Sequence, residues 1–218
     1  MDYSVLQFRP VLTESMPVLL KGALVTLQIT ILGVAAGIPL ATVSALCRLS
    51  TNKGLRLIST IYVEVIRNTP FLVQLFIIYF CLPVVGISLD PYPAGLLALV
   101  ISVGAYSTEE IRAGIESIHR GQVESALAIG MNKPQTLWYI VFPLAFRAVY
   151  PPLTNRVILV MLSSSMLAAI SVEELTYQAM IEGARLFRVF ETYVVVGVLY
   201  LLLANGLTWV LQQGKKWM

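Results

Sequence analysis

The sequence is poor in charged residues. Asp, Glu, Lys and Arg make up 12% of its 218 residues, whereas hydrophobic residues make up 57%. Soluble globular domains carry about 25% charged residues, so this chain could not cover a globule with a solvated surface. The shortage of charge argues against a water-soluble domain and predicts an all-α integral membrane protein.

Cysteine and histidine are also scarce, which removes several classes of function. The two cysteines, Cys47 and Cys81, make no disulfide framework, and we expect both to be free. The single histidine, His119, falls in a predicted loop outside the membrane, where it could not serve an intramembrane serine protease. The sequence has no basic cluster with interleaved aromatics for nucleic acid, and no Gly-x-x-x-x-Gly-Lys-Ser/Thr loop for ATP.

Five long apolar segments predict five membrane-spanning helices, because a span needs about 20 mostly apolar residues. They are approximately residues 22–47, 68–83, 93–115, 148–172 and 192–214. Residues 134–146 are a sixth, shorter candidate that Pro143 breaks, and they predict an interfacial or re-entrant piece rather than a span. The amphipathic residues 55–67 form either a helix at the membrane surface or a simple extension of the second span. Residues 1–20 lack the basic start of a signal peptide, so we expect no cleavage.

Lysine and arginine are distributed unevenly between the two sides of these spans. One side carries Arg48, Lys53, Arg56, Arg112, Arg120, Lys133, Arg147, Lys215 and Lys216. The other side carries Arg9, Lys21, Arg185 and Arg188. Cytoplasmic loops are enriched in these residues. We therefore expect the N-terminus outside and the C-terminus in the cytoplasm.

The longest predicted cytoplasmic segment, residues 112–147, contains a short predicted helix at about residues 122–131. Glu124 falls in its first turn, where the helix dipole favours a carboxylate, and Gly130 falls at its C-terminal cap. On periodicity alone this could be a plain surface helix between two spans. Its exposed face is predicted to carry small residues, which let another surface approach closely: Ser125, Ala126 and Ala128.

This segment resembles the EAA loop of ABC-type (ATP-binding cassette) import permeases. That motif is Glu-Ala-Ala, three residues, Gly, nine residues, an aliphatic residue, one residue and Leu-Pro. The spacing is kept here by Glu124, Ser125, Ala126, Gly130, Ile140, Phe142 and Pro143. Ser125 and Phe142 are mild departures from the motif. The resemblance implies a coupling helix that docks on an ATPase subunit through Glu124, Ser125, Ala126, Gly130 and Pro143.

Two further motifs resemble polar amino acid permeases of the histidine, glutamine, arginine and glutamate type. Residues 67–75 are Arg-Asn-Thr-Pro-Phe-Leu-Val-Gln-Leu, and residues 105–118 run from Ala-Tyr-Ser-Thr-Glu-Glu to Gly-Ile-Glu-Ser-Ile. The matches extend over residues 67–175, about half of the chain. The resemblance implies the type I importer permease fold, a bacterial inner-membrane location and import of a polar amino acid or a related small solute.

The same resemblance implies several partners. They are an ABC ATPase in two copies that binds ATP and Mg, an extracytoplasmic substrate-binding protein, and a second permease subunit that is identical or homologous. This chain itself would then catalyse no reaction and hold no cofactor or metal. The alternative is a secondary transporter of small solutes. Such transporters usually show internal repeats and matching interrupted helices, and neither is visible in this sequence.

Polar residues inside spans are costly, so they are candidates for a substrate path. The candidates are Gln74, Glu109, Ser163, Ser164 and Ser165. Glu109 and Glu116 can each pair with Arg112 on one helix face, and one of Glu109 and Glu110 should face the bundle.

The three serines have two further interpretations, packing between helices and hydrogen bonds to the carbonyl four residues earlier. The family commonly has Lys-Asp-Thr-Ser-Leu here, whereas this chain has Leu162-Ser163-Ser164-Ser165-Met166. The missing Lys-Asp pair leaves the solute open, and a heterodimeric partner could supply such a pair.

Overall fold

The computed structural model describes residues 7–215, except for the side chain of Lys215. The α-helices in this range are α1 (Met16–Leu49), α2 (Lys53–Arg67), α3 (Phe71–Phe76), α4 (Pro91–Glu116), α5 (Arg120–Ala128), α6 (Lys133–Thr136), α7 (Phe142–Ser163), α8 (Leu175–Leu186) and α9 (Val189–Lys215). Wide π-helical turns occupy Val11–Ser15, Ile77–Cys81 and Leu137–Val141, and 3₁₀ turns occupy Leu82–Val85 and Ser164–Ile170. No strand occurs within residues 7–215, so the predicted all-α fold is confirmed.

Within the described residues, four continuous helical runs are long and apolar enough to cross a membrane. They are Val11–Leu49, Pro91–Glu116, Lys133–Ile170 and Val189–Gly214. A fifth candidate is bent by 107° between Lys53–Arg67 and Phe71–Val85. The five predicted spans overlap these elements, although the first helical run begins before residue 22 and the run that contains the fourth begins before residue 148.

Residues 55–67 form a separate helix, so the simple extension of the second span is wrong. Pro70 at the bend has no N–H to continue the helix. The side-chain amide of Gln74 replaces it by donating to the carbonyl oxygens of Ile66 at 2.7 Å and Thr69 at 3.0 Å. A buried glutamine therefore holds the bend between α2 and α3.

Residues 134–146 are helical and continuous with the fourth span, so the predicted break at Pro143 is wrong. Helix continues from Lys133 to Ile170, and Pro143 lies two residues after the end of the wide turn Leu137–Val141. A π turn changes the hydrogen-bond pattern locally, so the missing proline N–H does not interrupt the helix. The run has 38 residues, or about 57 Å at about 1.5 Å per residue, which exceeds the roughly 30 Å hydrocarbon layer.

The centre of the bundle is the parallel packing of α1 on α4. A Cβ atom at Gly37 would lie 2.5 Å from Cγ1 of Val103, so only glycine permits this approach. Gly33 contacts Leu99 in the same way, one turn earlier on each helix. Small residues spaced by four let membrane helices pack closely. This stripe of small residues was not predicted from the sequence.

The bundle has two ends, which we name after the short helices that lie there. At the α5 end, Arg48 near the end of α1 contacts Glu109 near the end of α4. At the α8 end, Ser15 just before α1 donates a hydrogen bond to Glu182 of α8 at 2.6 Å. The two ends differ in how much surface they leave exposed.

Candidate functional site

Helix α5 begins earlier than the sequence predicted. Its N-cap is His119, whose Nδ1 accepts a hydrogen bond from the backbone N–H of Gly121 at 3.1 Å. Glu124 consequently lies beyond the first turn, and its predicted dipole contact is wrong. Histidine is not among the preferred N-cap residues, so the sequence signal for this start is weak.

The end of α5 agrees with the prediction. Gly130 has φ of +91°, and its N–H bonds to the carbonyl of Leu127 at 3.0 Å. The N–H of Met131 then reaches the carbonyl of Ala126 at 3.1 Å. This pair of bonds is the Schellman pattern, in which glycine is favoured because its backbone is left-handed.

The predicted coupling residues differ in exposure. Glu124, Ser125, Gly130 and Pro143 are exposed, whereas the side chain of Ala126 is buried. Ala126 is therefore not free to contact a partner. Ile129 is 81% exposed, and nearby large apolar side chains are exposed as well: Trp138, Tyr139, Phe142 and Phe146. The α5 end thus presents a broad surface with apolar and small residues.

Glu109 takes part in an ion-pair network at the α5 end. Its carboxylate lies 2.6 Å from a guanidinium nitrogen of Arg48 on α1 and 2.9 Å from one of Arg112. Arg112 also pairs with Glu116 at 2.6 Å. The predicted pairs within α4 are present, and the pair to α1 was missed because it joins residues 61 positions apart.

Glu110 pairs with a third helix. Its Oε1 accepts a hydrogen bond from Nε of Arg156 on α7 at 3.0 Å, whereas its buried Oε2 has no partner within the described residues. The guanidinium of Arg156 lies 4.6 Å from the centroid of the Tyr106 ring. Both Glu109 and Glu110 therefore face neighbouring helices, rather than only one of them.

Arg156 lines a cavity of about 220 Å³ between α3, α4 and α7. The lining residues are Phe71, Leu99, Ser102, Val103, Tyr106, Arg156, Leu159, Val160 and Ser163. A guanidinium, a phenol and two hydroxyls thus converge on a space otherwise bounded by apolar side chains. Small-solute sites have this composition.

The three consecutive serines separate in the structure. Ser163 lines the cavity, whereas buried Ser164 donates to the carbonyl of Met161 at 2.7 Å. Ser165 donates to the carbonyl of Leu162 at 2.7 Å. These bonds span three residues rather than the expected four, because a 3₁₀ turn begins at Ser164. Gln74 is engaged at the bend, and Glu109 in its ion pairs, so neither lines this cavity.

A buried acidic site at the α8 end was missed. Glu174 is fully buried; its Oε1 accepts from the N–H of Tyr177 at 2.9 Å, and its Oε2 accepts from the hydroxyl of Tyr200 at 2.8 Å. Burial raises the pKa of Glu174. Glu182 is also buried, and its hydrogen bond from Arg185 lowers its pKa. In the sequence, both residues look like parts of a polar loop.

Comparison with known proteins covers almost the whole chain. A family described as the binding-protein-dependent transport system inner membrane component matches residues 33–213. The L-cystine transport system permease protein TcyB of Bacillus subtilis (strain 168) is 40% identical over 185 residues, which are 84% of this chain and 79% of TcyB. The glutamine transport system permease protein GlnP of Escherichia coli (strain K12) is 35% identical over 201 residues, 91% and 92% of the two chains.

Two solved structures share the fold. A crystal structure of an amino acid ABC transporter with histidines superposes with a TM-score of 0.92 at 32% identity, covering 98% of this chain and 100% of its own. An inward-facing structure of the MetNI methionine ABC transporter has a TM-score of 0.73 at 20% identity, covering 92% and 96%. At that identity the second comparison shows the fold alone.

Proposed function

Because the chain belongs to the family of inner-membrane components of binding-protein-dependent transport systems, we propose that it is the permease of an ATP-driven importer for a polar amino acid. Its fold is that of type I ABC importer permeases. One observation carries the choice of solute: near-full-length relatives are permeases named for cystine and glutamine. The relatives are not secondary transporters, so that alternative is abandoned.

In the proposed importer, ATP hydrolysis and solute capture are carried out by other subunits. ATP and Mg would bind to two copies of a separate ATPase, and a substrate-binding protein would deliver the solute from outside. A second permease, identical or homologous, would complete the path. The absence of a Gly-x-x-x-x-Gly-Lys-Ser/Thr loop from the sequence supports this division.

We propose that the ATPase docks on the exposed surface of α5. Glu124 and Ser125 would face the ATPase, and Gly130 would set the direction in which the chain leaves α5. Pro143 would not contact the ATPase directly. It would influence docking through the helical run that joins α6 to α7. Ala126 packs inward, so its role would be to hold α5 in place. The exposure of the helix on its remaining faces supports this assignment.

The proposed topology places the α5 end in the cytoplasm and the α8 end outside. It is supported by the excess of lysine and arginine at the α5 end. Reporter fusions at Asn52 and Asn132 should report the cytoplasm, and fusions at Ser88 and Gly183 the outside. An external signal at Asn132 would overturn both the topology and the docking surface.

We propose that the cavity beside Arg156 belongs to the solute path. Arg156 would bind the carboxylate of an amino acid, and the unpartnered Oε2 of Glu110 would accept from its ammonium group. Ser163 would add a hydroxyl where the family's Lys-Asp pair is missing. The supporting observations are that the guanidinium of Arg156 and the hydroxyl of Ser163 line one cavity, and that Glu110 pairs with Arg156.

The function is tested by reconstitution. The chain should be co-purified with its ATPase, placed in proteoliposomes with its binding protein, and assayed for uptake of labelled glutamine, cystine and arginine. We expect uptake of at least one that requires ATP, and no ATP hydrolysis by the chain alone. Uptake driven by an ion gradient without the ATPase would overturn the proposal.

The cavity is tested separately. Replacing both Arg156 with Met and Glu110 with Gln avoids an unpaired buried charge, and it should raise KM roughly 10-fold or more, since a hydrogen bond to a charged group contributes about 1.5–3 kcal/mol. Ser163→Leu should abolish transport by filling the cavity. Ser165→Leu is the control, because that side chain does not line it. Normal transport in the double variant and in Ser163→Leu would show that the solute passes elsewhere.

A further inference from the structure

Helix α2 has three faces with different surroundings. One face is fixed to the bundle: Ser59 donates to the carbonyl of Ser44 at 2.8 Å, and Tyr62 donates to the carbonyl of Ile101 at 2.7 Å. A second face is apolar and exposed, with Leu57, Ile58, Ile61 and Val65. A third is polar, with Lys53, Arg56, Thr60, Glu64 and Arg67. Because the first face is anchored at two points, α2 cannot rotate to bury its aliphatic side chains.

The polar face carries cations without acidic partners. Lys53 and Arg56 are exposed, and neither forms an ion pair within residues 7–215. The only carboxylate on this face, Glu64, accepts a hydrogen bond from Asn68 at 3.0 Å. The face therefore keeps a net positive charge directly beside the aliphatic one.

The bend after α2 determines how the apolar and polar faces of α2 are oriented relative to the membrane. Since α2 and the following run Phe71–Val85 meet at 107°, α2 lies across the direction of the span that it precedes. A helix in this position with one aliphatic and one basic face matches the boundary between acyl chains and headgroups. Basic side chains at that depth attract anionic lipids.

We propose that α2 binds anionic phospholipid. The acyl chains would cover Leu57, Ile58 and Ile61, and the phosphate groups would contact Lys53 and Arg56. This inference requires only that the chain is in a membrane, so it does not depend on which solute is carried.

A second copy of the chain fits this surface less well. A two-fold interface brings the same patch of each copy together. Lys53, Arg56 and Arg67 would then approach their own counterparts, with only Glu64 to offset them. Like charges at close range are unfavourable, whereas lipid phosphates neutralise them.

The test places a reporter at Ile58. In the full-length chain with Cys47 and Cys81 replaced by Ser, Ile58→Cys is labelled with bimane and reconstituted in bilayers. Quenching is then compared for brominated phosphatidylglycerol and brominated phosphatidylcholine. We expect phosphatidylglycerol to quench beyond its mole fraction, with a preference that weakens at high salt.

The decisive variant is Lys53→Gln with Arg56→Gln, which should reduce that preference roughly 25-fold, since each cation contributes about fivefold. The matched control is Arg9→Gln with Lys21→Gln, which removes the same charge at the α8 end and should change nothing. Equal quenching by both lipids would overturn the proposal. So would weak quenching together with cross-linking between two unlabelled Ile58→Cys copies, because a second permease would then cover α2.

Discussion

Helices α5 and α8 are both short connectors at the ends of spans, yet they relate to the rest of the chain in opposite ways. α8 buries Leu175, Ala179, Glu182 and Gly183 against its own chain, whereas α5 buries only Ala126. A surface that a chain covers itself contributes to its folding, and a surface that it leaves apolar and open is available to a partner. The α8 end therefore completes the fold, whereas the α5 end leaves open the surface on which we propose that the ATPase docks.

The buried glutamates explain how α8 is fixed. Glu174 caps α8 and also accepts from Tyr200 on α9, so one carboxyl joins two helices. The backbone N–H of Leu175 donates to the hydroxyl of Thr26 on α1 at 3.2 Å. Buried polar groups are tolerated when they are hydrogen-bonded, and their loss leaves neighbours unsatisfied. No comparable network ties α5 to the spans within the described residues.

The largest effect is expected at Gly130. Gly130→Val forces a β-branched residue into a left-handed backbone, at a cost of about 1–2 kcal/mol, so the end of α5 should shift. We expect loss of ATPase co-purification and of uptake in proteoliposomes, with nearly normal membrane levels of the permease.

The matched control is Gly86→Val at the opposite end. Gly86 has φ of +86° and, like Gly130, has no atom of the described residues within 4 Å of its would-be Cβ. The backbone strain is therefore similar, but Gly86 is not on the proposed docking surface. If both variants retain the ATPase and transport normally, the contrast between the two ends has no functional meaning.

A packing change should affect the α8 end next. A Cβ atom at Gly22 of α1 would lie 2.9 Å from Cα of Leu175, which is backbone and cannot move alone. Gly22→Ala should lower the free energy of unfolding by about 1–3 kcal/mol, the usual range for overpacking. Gly197→Ala is the control, because nothing lies within 4 Å of that position. Thermal unfolding in detergent measures both, and equal midpoints would show that α8 is not packed tightly.

The two buried glutamates of the α8 end should respond to pH with opposite signs. Burial raises the pKa of Glu174, so the folded state holds its proton more tightly, and stability falls as pH rises from about 4.3 through the raised pKa. Arg185 lowers the pKa of Glu182, so stability is lost as pH falls below about 4.3.

Two variants separate these contributions. In unfolding midpoints followed across pH, Glu174→Gln should remove the decline toward neutral pH, and Glu182→Gln should remove the loss in acid. If Glu174→Gln instead removes the loss of stability in acid, then the hydrogen bonds that the Glu174 carboxylate accepts lower its pKa more than burial raises it.

How much the sequence could predict depended on the range of the interactions. Gly130 was predicted because the signal for a glycine cap is local. The bend at Pro70 was one of two alternatives that the sequence left open, because it depends on where Gln74 finds acceptors. The pair Glu110–Arg156 was not predicted, because it joins residues 46 positions apart. Glu174 resembles a loop residue until α1 and α9 pack around it. The span count needed only composition, whereas the separation of Ser163 from Ser164 and Ser165 needed the 3₁₀ geometry.

The smallest expected effect is at Phe187, which is 94% exposed and has φ of +55° at the end of α8. The N–H of Arg188 bonds to the carbonyl of Gly183 at 3.0 Å, so the left-handed position is fixed by the cap. A residue other than glycine costs about 1–2 kcal/mol of stability at this left-handed position. Glycine avoids that cost, but it gives the unfolded chain more conformational freedom, which offsets part of the gain in stability.

Phe187→Gly should therefore stabilise the protein by about 0.5–1 kcal/mol. Phe190→Gly is the contrast, since Phe190 is also exposed but lies in α9, where glycine costs up to about 1 kcal/mol. Unfolding midpoints in detergent compare the two variants with the parent chain.

The α8 end is complete in itself only if Phe187 makes no stabilising contact beyond this chain. Stabilisation with unchanged transport would support that conclusion. Stabilisation with impaired binding-protein-dependent uptake would instead show that the exposed ring contacts a partner, and the contrast between the two ends would then be one of degree.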